Sequence, residues 1–103
     1  MSKIRLCSGV ITMSLFLMLS SEVYAADVEA GRVKSTQCAI CHGDDGEGNG
    51  APKSKISGME VDKFIKHLQD FKCGARKNVM MERFAKKLSD EDIENLAAYY
   101  ATK

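Results

Sequence analysis

In the run Cys38-Ala39-Ile40-Cys41-His42 two thiols stand three residues apart and an imidazole follows at once. On a helical turn, positions three and four apart share a face, so the three side chains point to one side of the backbone. Such a face suits a flat macrocycle: each thiol can add to a vinyl group to form a thioether, and the imidazole can reach a central iron from the same side. Cys38, Cys41 and His42 are therefore candidate attachment points for one covalent haem c, with His42 as built-in iron ligand. Competing readings need further partners. A tetrahedral zinc site needs two more ligands, and only His67 and Cys73 remain, with no second paired motif. A redox-active dithiol of the thioredoxin kind expects strands alternating with helices, and no strand is signalled. A plain disulfide between Cys38 and Cys41 leaves His42 without a role.

Iron held by His42 asks for a ligand on its far side, and Met59, His67, Met80, Met81 and several lysines are the candidates downstream. His67 lies beside the apolar stripe of a helix, as a partly exposed residue would. Met59 precedes that helix and reads as packing. Met80 and Met81 sit in the segment from Asn78 to Lys87, which must pass the other side of the haem, so one of the two is the expected ligand. The loop Gly43 to Gly50 imitates half a calcium loop through Asp45, Glu47, Asn49 and Gly50, but Ile56 stands where a bidentate glutamate belongs. Its glycines read instead as tight turns beside the haem.

These side chains must be placed by helices, because no segment alternates apolar and polar residues. A first helix is expected from an N-cap at Asp27, with Glu29 in its first turn, to about Cys38. A second sets Val61, Phe64, Ile65, Leu68 and Phe71 on one face. A third starts at Ser89 as N-cap, with Asp90, Glu91 and Asp92 in its first turn, and then repeats Ile93, Leu96, Ala97 and Tyr100.

Ahead of this lies a basic start (Lys3, Arg5), an apolar run from Leu6 to Leu19, and Val23-Tyr24-Ala25, the pattern of a cleaved export signal. Residues 1–25 are thus expected to be removed, leaving 26–103 as one domain of 78 residues in the periplasm, with no stable membrane insertion after cleavage. A core this small needs a staple or a cofactor. That domain has 13 basic and 13 acidic residues, so bulk charge points to neither nucleic acid nor membrane. Its three cysteines cannot all pair with one another. Cys73 reads as an alkylatable thiol at a helix end in a monomer, with a Cys73-linked dimer as the alternative.

Taken in order, these features resemble the small bacterial class I c-type cytochromes, including the repeated half of the diheme ones. The resemblance rests on Gly31 in the first helix, CAICHG with its glycine-rich loop, GNGAP, the stretch Phe64 to Gly74, the Met80-Met81 pair and LSDEDIENLAAYYA. It implies an all-α cytochrome c fold, three to five helices around one haem, with the first and last helices crossing where Gly31 meets Leu96 and Tyr99. It also implies Met81, seven residues before Leu88, as the second ligand, with Met80 packing or facing solvent. In the family a proline usually offers its carbonyl to the ring N–H of the iron-bound histidine. Here Ser54 takes that place and Pro52 comes two residues earlier, so the Ser54 carbonyl is the expected acceptor.

With His42 and Met81 both on the iron, no coordination position is open to substrate. The implied role is a non-enzymatic carrier of single electrons between redox partner proteins. The alternatives are a cytochrome subunit of a periplasmic dehydrogenase complex, or a haem enzyme or gas sensor with an open far side, for which no histidine–arginine pair is evident. Charge is unevenly spread: net −3 over Ala26 to Gly50, net +6 over Ala51 to Lys87, and net −3 over Leu88 to Lys103. In the family the middle segment borders the haem edge, so an acidic docking site on the partner is expected.

Overall fold

The computed structural model describes residues 26–51 and 53–103, and the expected leader lies outside them. The described residues form five helices and no strand: α1 (Val28–Lys34), α2 (Thr36–His42), α3 (Val61–Cys73), α4 (Val79–Lys86) and α5 (Asp90–Ala101). The first expected helix is two. Ser35 ends α1 in the right-handed region, and its hydroxyl donates to the Arg32 carbonyl at 2.7 Å. A serine bonding back into the preceding turn in this way commonly bends or interrupts a helix.

Where caps were legible, the helices begin as expected. The Asp27 carboxylate accepts from Ala30 N–H at the start of α1. At α5 the box is reciprocal: Ser89 Oγ accepts from Asp92 N–H at 2.9 Å, while the Asp92 carboxylate accepts from Ser89 N–H at 2.9 Å. Gly74, at φ 85°, closes α3 in the left-handed conformation that favours glycine. The α4 helix was expected only as a passing segment. Asn78 caps it by accepting from Met81 N–H at 2.9 Å.

Helix α5 is the centre of the assembly, with α1 and α3 packed on it and α4 packed on α3. The core is Phe64 and Leu68 from α3, Ala85 from α4, Leu88, and Ile93, Leu96, Ala97, Tyr99 and Tyr100 from α5. Helices α1 and α5 meet at Gly31, where an added Cβ would strike the Asn95 carbonyl and lie 2.9 Å from Tyr99 Cβ. The expected contact with Tyr99 is present, and the nearest atoms of all are those of the Asn95 carbonyl. Buried Asn95 secures the same crossing by accepting from Asp27 N–H at 2.7 Å. Lys72 adds a tie by donating from α3 to the Leu88 carbonyl at the entry to α5. Among the described residues no helix is long and apolar enough to cross a membrane.

Candidate functional site

Helix α2 carries Cys38, Cys41 and His42 in its last two turns. Gly43 ends it at φ 95°, and the loop then folds back on the helix: Gly48 N–H donates to the His42 carbonyl at 2.7 Å, and Ile56 N–H to the Gly46 carbonyl at 2.7 Å. This return brings Ser54 to the imidazole. His42 Nδ1–H donates to the Ser54 carbonyl at 2.7 Å, the acceptor expected from the sequence. Of the two tautomers of the imidazole, this bond favours the one with its proton on Nδ1, which leaves the Nε2 lone pair available, as metal-binding histidines require.

Cys38 is half-buried and Cys41 exposed, and neither is in a disulfide. Burial, partly offset by the neighbouring Tyr100 hydroxyl, pushes the Cys38 thiol above its ordinary range. Helix α4 separates the two methionines. Met81 is half-buried against the hydrophobic cluster, as is Cys38, whereas Met80 is 53% exposed. Cys38 and Met81 thus meet the same core cluster, Cys41 and His42 follow Cys38 on α2, and this donor set fits a covalent haem iron.

Met59 packs against the core, as expected of it, and His67 and the calcium-like loop are engaged elsewhere. His67 Nδ1 accepts from Arg76 at 3.0 Å, and burial together with the Arg76 charge pushes its pKa below the ordinary value. In the calcium-like loop, Glu47 accepts from Asp45 N–H at 3.0 Å, and Asp45 pairs with Lys103 at 3.6 Å. Among the described residues no group of three or more His, Cys, Asp or Glu side chains could hold a metal. Cys73 closes α3, with its sulfur 3.7 Å from the Asp70 carbonyl. Tyr100 enters the site as well, although on sequence it was only one apolar position of α5. The signal available there was a hydroxyl on a stripe that phenylalanine could fill.

Comparison with known proteins places this arrangement. Residues 25–99 match the family model described as cytochrome C oxidase, cbb3-type, subunit III. Cytochrome c-553 of Helicobacter pylori is 44% identical, over 99% of this chain and 98% of its own length. Cytochrome c4 of Pseudomonas aeruginosa is 33% identical over 90% of this chain, but the match spans only 47% of that longer protein. The solved structure of cytochrome c4 from Acidithiobacillus ferrooxidans superposes with a TM-score of 0.71 at 29% identity, covering 84% of this chain and 55% of that one.

Proposed function

Because the chain belongs to the c-type cytochrome family matched by the cbb3-type subunit III model, we propose that its haem is joined through Cys38 and Cys41 and held at the iron by His42 and Met81. The protein is an electron-transfer cytochrome of the class I type with the cytochrome c fold, and its cofactor is haem c. The haem supplies a one-electron iron couple, and the chain positions it.

The observation that carries the ligand assignment is the bond from His42 to the Ser54 carbonyl, which orients one imidazole nitrogen for the metal. The inward placement of Met81 supports it as the second ligand. With both axial positions filled, the protein acts as a carrier and not as an enzyme or gas sensor. It works in the periplasm after removal of residues 1–25, as a monomer that meets its redox partners through an exposed basic face.

The test begins with denaturation and acidic organic extraction, after which haem should remain on the polypeptide. Extracted haem would reject the thioethers. Carbon monoxide added to the reduced protein should leave the spectrum almost unchanged, and a strong carbonyl spectrum would restore the open-site reading. Intact mass of the exported protein should place its first residue at Ala26.

A further inference from the structure

Tyr100 is the core side chain whose chemistry the fold does not use. Its ring is 0% exposed, stacked on Phe64 at 5.6 Å between centroids and set edge-on to Tyr99 at 5.0 Å. Gly46 closes over it, since an added Cβ there would come within 2.8 Å of the ring. All of this packing a phenylalanine could make. The hydroxyl is different: among the described residues it is the buried side-chain polar atom left without a hydrogen-bond partner. An unmet buried hydroxyl costs about 1–3 kcal/mol, and native chains seldom keep one unless something beyond the polypeptide completes it.

Beside that hydroxyl stand the Cys38 thiol and the buried Ser35 hydroxyl. The Ser35 hydroxyl donates to the Arg32 carbonyl, which leaves it as a competing acceptor that Ser35→Ala removes. Cys38 packs on the same cluster and is itself proposed to change state when haem is joined. Burial pushes the Tyr100 phenol far above its ordinary pKa, so it keeps its proton and can only serve as a neutral donor.

We propose, resting on the reading of Cys38 as a thioether site, that Tyr100 is a positioning residue for the haem: its hydroxyl donates a hydrogen bond to the Cys38 sulfur. A thioether fixes the sulfur's rotamer, which a thiol leaves to turn, and the buried donor then holds it from the protein side. A donor on that sulfur draws electron density from the attached ring system and favours the reduced iron.

The holoprotein tests this through Tyr100→Phe, which keeps the ring and deletes the hydroxyl. The alkaline pyridine spectrum should still report two thioethers. The redox equilibrium should move about threefold towards the oxidised form, ~28 mV at 59 mV per tenfold change for one electron. In the native protein a thioether C–S stretching mode should shift between H2O and D2O in resonance Raman spectra, and the shift should vanish in the variant. Ser35→Ala should leave both readouts in place. The D2O measurement needs no variant, so it decides the matter even if Tyr100→Phe does not fold. A native spectrum without a D2O-sensitive C–S mode, an unchanged potential in Tyr100→Phe, or the same potential shift in Ser35→Ala would each overturn the proposal. Haem extracted from the native protein would instead overturn the thioether reading beneath it.

Discussion

Met80 and Met81 are adjacent in sequence, yet a helix points consecutive side chains about 100° apart, so only one can face the core. Met81 does, and Met80 is turned outward. Met81→Ala is expected to abolish the sulfur-to-iron charge-transfer band of the oxidised protein. It should also lower the potential by tenths of a volt, on the order that axial ligands command within their roughly 0.8 V range. Met80→Ala should leave the band intact; the reverse pattern would move the ligand by one residue. Gly31 is constrained as tightly, though by packing. A methyl group there meets the Asn95 backbone carbonyl, which cannot rotate away as a side-chain tip could. Gly31→Ala should therefore destabilise the holoprotein by about 1–3 kcal/mol, the usual overpacking cost, despite alanine's better helix propensity. At about 4–8 °C per kcal/mol for a domain of this size, calorimetry would resolve the loss.

Helix α5 has to hold its start because Leu88 and Ile93 enter the core on either side of the cap. Removing the Ser89 hydroxyl should cost about 1 kcal/mol, as N-cap losses do. Asp92 adds a pH dependence whose sign is fixed. Burial would raise its pKa, but bonds to Ser89 and the nearby Lys34 charge outweigh it, and the net shift is downward from 3.8. A depressed carboxylate stabilises the fold above its unfolded value and loses that contribution as pH falls through its folded value. Acid unfolding of Asp92→Asn should thus be flatter below about pH 4, and an unchanged acid limb would show that the box contributes nothing. The cap and the stripe made α5 readable from sequence, as period and boundary did for α3. The break at Ser35 was not readable, because both flanks favour helix and the interruption comes from one side-chain bond. Nor was α4, whose Val79 and Met80 are exposed and so blur the apolar period. In the site, the haem motif was legible because its spacing is the chemistry, whereas the orphaned Tyr100 hydroxyl exists only once Gly46, Phe64 and Cys38 close around it.

Over the whole molecule, a neutral 26–103 total hides a dipolar arrangement: ten basic residues against four acidic ones lie between Ala51 and Lys87, and both flanks are acidic. Internal bonds take up three of the ten, Lys66 with Asp70, Lys72 with Leu88, and Arg76 with His67. Lys77, Arg83, Lys86 and Lys87 are on the exposed surface around α4, the helix that carries Met81. Among the described residues the four ion pairs include only Lys66 from this segment, so the remaining charge faces outward uncompensated. Beside it the apolar side chains of Val79 and Met80 are 73% and 53% exposed, giving a contact centre that a partner could desolvate while the lysines set its orientation. Exposed pairs of this kind contribute little to affinity but accelerate encounter, and the acceleration is lost when salt shortens the screening length to about 10 Å at 0.1 M. The second-order electron-transfer rate with an acidic acceptor should therefore fall steeply with ionic strength, by about tenfold or more from low to high salt. Changing Lys77, Lys86 and Lys87 to glutamate should remove most of that dependence and slow the low-salt reaction, while leaving the potential and the methionine band unaltered. Stopped-flow rates that are flat in salt, or that the triple variant reproduces, would show the basic segment to be solvated surface and would send the search for the docking face to the exposed Ile40 between Cys38 and Cys41.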